Sequence, residues 1–478
     1  MLTSNAPHDH AGAPAREQPH GDRAAPRRRP DLLLREAPLR AIARLAAPTT
    51  LVMLIAATSN VLYTYYVSRL GADAIAAVSL VFPISLLAIT AMGGGLGAGA
   101  ASAIARTLGA GRRREAEAVA EHALVLSLVV GVLFALAIYF GAPRLFTLMG
   151  GTGAVLDQSV MFARVLFGGA VIPFTAAMLD SIMRGEGNVR VPAIWSSTSL
   201  GLQVMVTPLF MFVAGWGLVG APLAMLACQF IATVPRARFV LGGGGAIHPS
   251  GWPRRPALRP LLEILRVGIP ASLSTTINYV GIMVLTGVVA RLGKGDLAAY
   301  GLGVRLDFLL LSFAYGFGAA VLTLVGLSTG AGRPERTMTY VVRAGALIVA
   351  VLAVPGFLLC WWPDLWLGLF TEDRAILAVG EQYFRFIGPS YPFVGISMVI
   401  AFAFQGLGRA TAPLMLMATR VAAVLAVALL ATQYFGLGER TVFLTIAAGN
   451  VGSAAAMAAL FGRAHRRMRG RNDVCGVA

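Results

Sequence analysis

Residues 300–318 read YGLGVRLDFLLLSFAYGFG, with Arg305 and Asp307 set inside an otherwise apolar run. Two full charges in such a place mean one thing in water and another in lipid, so the solvent has to be settled first. The chain of 478 residues is 57% hydrophobic and 13% charged, with a mean hydropathy of +0.74. A soluble chain of this length carries about a quarter of its residues as charges, enough to coat its surface. One large soluble core is therefore excluded. Apolar runs of about 20 residues recur from residue 45 to residue 462, the pattern of a polytopic all-α membrane protein.

Twelve transmembrane helices are expected, near 45–67, 74–104, 118–140, 158–182, 191–213, 217–239, 268–290, 297–327, 342–362, 379–404, 412–434 and 441–462. The net charge is +17. The arginines lie between apolar runs rather than on one face of a soluble fold, so a nucleic-acid partner is not expected. With the N-terminus inside, the loops and tail on that side hold 21 basic residues, among them Arg106, Arg112, Arg184, Arg190, Arg236, Arg333, Arg409 and Arg466. The other side holds Arg69, Arg144, Arg291, Lys294, Arg374 and Arg440. That bias puts both termini in the cytoplasm of a multi-pass protein. One lysine among 39 basic residues, with many Ala and Gly, suggests a bacterial cytoplasmic membrane.

The chain repeats itself. RLAAP (44–48) matches RVGIP (266–270), and RLGADAIAAV (69–78) matches RLGKGDLAAY (291–300), both at an offset of 222. LGAGR (108–112) matches TGAGR (329–333), and RGEGNVRVP (184–192) matches QGLGRATAP (405–413), both at 221. Each copy holds six spans. Six is even, so the two six-helix lobes sit the same way up, about an axis along the membrane normal with a cavity between them. The expected organisation is a disordered basic cytoplasmic tail over 1–38, an N-lobe over 39–240 and a cytoplasmic linker over 241–259. A C-lobe over 260–462 and a basic cytoplasmic tail over 463–478 complete it. The Gly- and Pro-rich linker would let one lobe move against the other.

Cys228, Cys360 and Cys475 and the six histidines are scattered, so neither a metal site nor a disulfide framework is expected. GGGLGAG (93–99) lies inside an apolar run, where small residues serve close helix approach rather than phosphate binding. LGAGR and TGAGR read as glycine helix stops followed by an anchoring arginine. Asp180 and Arg184, four apart, read as a local ion pair at a span end, or else Asp180 carries a cation.

Asp307 falls ten residues into the eighth span, about 15 Å down and close to the bilayer midplane. A carboxylate there costs at least about 2.5–3.5 kcal/mol. Arg305 lies two positions away, about 200° around the helix, so the two cannot pair side by side. Tyr300, Gly303, Ala314 and Gly318 share a rough stripe with Asp307, small and polar enough to line a cavity. Asp307 is either ion-paired to another span or a cation- or proton-binding group, and the second reading is preferred.

NVLYTYYVSRLGADAIAAVSLVFPI, LGAGRRREAE, MRGEGNVRVPA, RVGIPASL, AAYGLGVRLD, STGAGRPER and FQGLGRATAP together resemble the multidrug and toxic compound extrusion (MATE) family. The resemblance covers residues 40–462, in order and in both halves. It implies no enzymatic activity and no cofactor. It implies multidrug efflux by an antiporter working by alternating access, in which small organic, often cationic, substrates are exported against entering H+ or Na+. The protein would act as a monomer in the lipid bilayer. Many family members carry an acid in the first span within N-x-x-D-T; here the motif is NVLYT, with Tyr63 at that place. A seventh-span acid of some members falls near Asn278. The R-x-[DE] pattern is intact as RLD, which leaves Asp307 as the leading coupling residue and Asp180 as the second. Arg305, Asn278, Tyr63, Asn60 and Tyr300 are the expected cavity-lining or substrate-binding residues. Tyr63 and Tyr66 also suit an aromatic belt at the membrane interface. A lipid-linked oligosaccharide flippase on a related fold remains the alternative, with a polytopic membrane enzyme behind it.

Overall fold

The computed structural model describes residues 29–253 and 257–475. The expected disordered tail lies, over residues 1–28, outside the described residues. Arg29–Arg35 is a short helix rather than coil, because Leu33 and Leu34 bury against the bundle.

Among the described residues, eleven helices are long and apolar enough to cross a membrane, and one further pair is bent. The first three spans are Pro38–Ser68, Ala72–Gly109 and Arg113–Leu148. The fourth is Gly153–Gly168 and Val171–Gly185, bent by 46° where Gly168 and Gly169 adjoin. The fifth to eighth are Arg190–Val213, Gly217–Leu241, Leu258–Ala290 and Gly295–Gly330. The ninth to twelfth are Pro334–Trp361, Arg374–Gly406, Thr411–Gln433 and Glu439–Arg467. Counting the bent pair as one span gives the expected twelve. The glycine stops act as expected. Gly111 (φ 73°) and Gly332 (φ 67°) take the left-handed conformation that ends the second and eighth spans.

Two large apolar clusters form the lobes, and the first and seventh spans cross from one to the other. The first span places Ala41, Ile42, Leu45 and Ala46 in the C-lobe cluster, but Val67 in the N-lobe cluster. The seventh does the reverse, with Ile264 in the N-lobe cluster and Leu285 and Val289 in the C-lobe cluster. Between the swapped ends lie Pro48 and Pro270, equivalent positions in the repeat. Proline removes a ladder hydrogen bond, so each span is softest where it crosses from one lobe to the other.

The lobes close on each other at the arginine-rich end. A Cβ on Gly109 would lie 2.2 Å from the Leu327 carbonyl oxygen, and one on Gly330 would lie 2.1 Å from that of Arg106. Gly109 and Gly330 are 221 apart, and so are Arg106 and Leu327, so the contact is reciprocal about the repeat axis. A Cβ on Gly99 would lie 2.3 Å from the carbonyl oxygen of Ile264, at the start of the seventh span, which is the close helix approach expected of the glycine run. Ser102 donates to the Gln405 carbonyl across the seam. Thr323 donates to the Arg184 carbonyl at 3.0 Å, and Ser272 to the Ala91 carbonyl at 3.0 Å. These inter-lobe bonds all lie between Ala91 and the arginine-rich end. Towards the opposite end, Asn60, Val61, Phe82, Ile89, Val280, Met283 and Phe308 are exposed on the first, second, seventh and eighth spans.

Among the described linker residues, Ala246, His248, Ser250 and Ala257 are hydrogen-bonded to the N-lobe. Glu186 accepts from the Ala246 amide at 2.8 Å, Glu117 from the His248 amide at 3.1 Å and Glu121 from the Ser250 amide at 2.8 Å. His122 Nε2 accepts from the Ala257 amide at 3.0 Å.

The seam generates a direct test. Gly330→Val forces a branched side chain into the Arg106 carbonyl and should destabilise the protein by about 1–3 kcal/mol. Gly345→Val, at a site with nothing within 4 Å of its Cβ, should cost much less. Thermal unfolding of the two variants in detergent checks the difference.

Candidate functional site

The two charges of the opening stretch leave the eighth span in different directions. Both Asp307 oxygens are held from the tenth span. Tyr383 Oη donates to Oδ2 at 2.8 Å and Tyr391 Oη donates to Oδ1 at 2.7 Å. Both phenols are buried, and Asp307 itself is only partly so. Between the tyrosines, the 3-10 turn Gly388–Ser390, with Pro389 inside it, interrupts the span, and the phenols converge on one carboxylate from either side of the break. Gly303 makes room for this, since a Cβ there would lie 2.3 Å from the Tyr383 ring. Tyr300 packs edge-on against Tyr383, with ring centroids 6.0 Å apart.

A hydrogen bond to a charged group contributes about 1.5–3 kcal/mol. Two of them are of the same order as the cost of a mid-depth carboxylate, about 2.5–3.5 kcal/mol. The buried charge is therefore held by neutral donors, and no ion pair to Asp307 is found among the described residues. Arg420 of the eleventh span donates to Asn450 Oδ1, and Asn450 Nδ2 donates to Ser390 Oγ at 2.9 Å, returning the network to the 3-10 turn. A proton or small cation entering here meets two carboxylate oxygens with two phenol oxygens beside them.

The stripe expected to line a cavity is instead covered. Tyr300, Gly303, Ala314 and Gly318 are buried. Gly303 faces Tyr383 and Gly318 faces Phe402, both on the tenth span. Small residues on this stripe serve helix contact with the tenth span.

Asp180, in the other lobe, also has a partner, though not the expected one. Arg236 of the sixth span places Nε 3.0 Å from Oδ1. Ser196 of the fifth span donates to Oδ2 at 3.3 Å and accepts from Arg236 Nη2 at 2.7 Å. Arg184 turns away and donates to Ser181 Oγ at 2.9 Å. The group ties the fourth, fifth and sixth spans together. Arg305 is exposed, and its guanidinium lies 6.0 Å from the centre of the Phe370 ring. Asn60 is exposed on the first span, Tyr63 is partly buried against the N-lobe cluster, and Asn278 is partly buried on the seventh span. None of these three meets Asp307.

The MatE family model matches residues 48–209 and again residues 270–431, at the same offset of 222. The "FAD transporter" of Shewanella oneidensis is 23% identical over 351 residues, 72% of this chain and 77% of its own. The "Probable multidrug resistance protein NorM" of Thermotoga maritima is 24% identical over 353 residues, 71% of this chain and 74% of its own. A solved structure of a multidrug resistance MATE family transporter of the MOP superfamily, in an outward-facing conformation, superposes with a TM-score of 0.86. It is 27% identical and covers 92% of this chain and 98% of its own.

The phenol cage can be weighed by a double-mutant cycle. Tyr391→Phe should cost about 1.5–3 kcal/mol in the wild-type background, and less than half as much where Asp307 is already Asn, because the charged acceptor is gone. Thermal unfolding of the four proteins in detergent checks this. Equal costs in both backgrounds would mean that the hydroxyl contributes through packing.

Proposed function

This chain belongs to the MatE family, and on that premise we propose that it is an ion-coupled exporter of small organic compounds, with Asp307 as the group that binds the entering cation. One observation carries this reading: the mid-span carboxylate of Asp307 accepts from two phenols and has no ion pair among the described residues. Such a group can exchange a proton or Na+ without breaking an ion pair. Asp180 is the weaker candidate, because Arg236 already neutralises it and removing one partner of a buried pair costs about 3–5 kcal/mol.

The transport cycle we propose alternates which end of the cleft is open. The arginine bias supports a cytoplasmic arginine-rich end in a bacterial cytoplasmic membrane. The reciprocal glycine contacts of Gly109 and Gly330 are then the cytoplasmic closure, and the opposite end faces outward. Rocking of the lobes would break this closure and flex the first and seventh spans near Pro48 and Pro270. The linker, bound through Glu117, Glu121 and Glu186, would travel with the N-lobe. Occupancy at Asp307 would bias the equilibrium through Tyr391 and Ser390, which lie at the break in the tenth span. Coupling requires that the ion bind one state better than the other, and a carboxylate that gains or loses a charge inside hydrocarbon supplies such a difference.

Asp307→Asn keeps the shape and removes ionisation. In proteoliposomes it should abolish efflux driven by a proton or sodium gradient while expression and membrane insertion stay at the wild-type level, and Asp307→Glu should retain part of the activity. Gradient-driven efflux at the wild-type rate in the Asn variant would move coupling elsewhere.

A further inference from the structure

The walls of the cleft carry almost no charge. Residues 51–68 of the first span, 74–90 of the second and 271–290 of the seventh contain no Asp, Glu, Lys or Arg. Between residues 297 and 330 of the eighth span, Arg305 and Asp307 are the two charged residues. Asp307 turns to the tenth span, where both oxygens are taken by phenols. Arg305 turns the other way.

The direction of Arg305 follows from its stripe. Gly301, Arg305, Phe308, Ser312 and Tyr315 recur at helical spacing along one face. At the lower end of that stripe, the Tyr315 hydroxyl lies 3.7 Å from the Cβ position of Gly94, on the second span of the opposite lobe. The face is therefore the one turned to the other lobe, and above Tyr315 it borders the cleft. Arg305 is exposed on it, with its guanidinium 6.0 Å from the centre of the Phe370 ring in the loop before the tenth span, and forms no ion pair among the described residues. One turn below, Phe308 is 38% exposed and stacks on Tyr279 of the seventh span, with centroids 6.2 Å apart and planes 21° off parallel. Apart from Asp307, whose oxygens face the tenth span, the acids next along the lining spans are Asp73 and Asp296, in the first turns of the second and eighth spans. Asp296 is nine residues from Arg305, about 13.5 Å along the helix. Arg69, Arg291 and Lys294 accompany these acids in sequence, so neither segment carries an excess of acid over Arg305.

We infer that the cleft selects organic anions bearing an aromatic ring, with the anionic group drawn to Arg305 and the ring laid on the Phe308–Tyr279 stack. The inference deepens the transporter reading and rests on it. An unpaired guanidinium beside low-dielectric walls attracts an anion and repels a cation of the same shape. The one carboxylate on the lining segments, Asp307, is turned from this face to the tenth span, so it does not reward an organic cation lying in the cleft. Selectivity then has a repulsive as well as an attractive part, both in one residue.

Binding to purified full-length protein in detergent tests this apart from transport. The probes are two xanthene dyes of similar size, a sulfonated fluorescein and a cationic rhodamine, followed by fluorescence anisotropy at low and high salt. Wild type should bind the anionic dye at least about tenfold more tightly, with a preference that shrinks as salt rises. Arg305→Gln should erase the preference and Arg305→Glu should invert it, with Arg305→Lys retaining most of it. Unfolding temperatures show whether each variant is folded. Tighter binding of the rhodamine to wild type, or an unchanged ratio in a folded Arg305→Gln, would overturn the anion reading and leave the transporter reading standing. Binding of neither dye would count against the cleft as a substrate site, and so against both.

Discussion

A carboxylate at mid-depth in a bilayer has to be supplied with partners by the protein, because hydrocarbon offers none. Asp307 meets that demand with two phenols, and much of the C-lobe is arranged around the solution. The tenth span is broken by a 3-10 turn so that Tyr383 and Tyr391 reach one carboxylate. Gly303 is a glycine because a larger residue would collide with the Tyr383 ring. Asn450 and Arg420 bind the broken turn to the last two spans. A single charge thus organises four of the six helices in its lobe. The N-lobe handles its own acid differently, with a salt-bridged arginine and a bridging serine. Two homologous halves have kept one backbone plan while holding their charges by different chemistry.

The second constraint is backbone proximity. Helices in lipid gain little from apolar burial against each other, so they associate where small residues let main chains touch. The reciprocal contacts of Gly109 with the Leu327 carbonyl and Gly330 with the Arg106 carbonyl meet that condition at one end of the cleft. They rely on fit rather than on a web of ion pairs. A seam of this kind can separate without stranding charges, which suits the alternation we propose. The swapped ends of the first and seventh spans, each crossing beside a proline, would keep the lobes attached while it does so.

Much of this architecture is written locally in the chain. Hydropathy places all twelve spans, the 221–222 offset identifies the two lobes, and the glycines at 111 and 332 mark where the long spans stop. Membrane helices satisfy their backbones within the segment, which is why such local signals suffice. Asp307 stands out for the same reason, since a mid-span acid is costly wherever it points. Its partners are less legible. Tyr383 and Tyr391 read as apolar bulk until the tenth span is seen to break between them, and only the GPS turn hints at that. Arg236 lies 56 residues from Asp180, and the i, i+4 arginine at 184 looked the nearer choice. The stripe of Tyr300, Gly303, Ala314 and Gly318 has the composition of a cavity wall. Helix packing and cavity lining both favour small residues, so sequence could not separate them.

The central claim is that Asp307 changes its occupancy with the coupling ion. Infrared difference spectroscopy of the purified protein, recorded as pH or sodium concentration is stepped, observes carboxyl groups directly. The account predicts a carboxyl-region signal in wild type that is lost in a folded Asp307→Asn protein and weakened in Tyr391→Phe. The same difference spectrum in wild type and Asp307→Asn would contradict it, and would leave Asp307 as a structural charge.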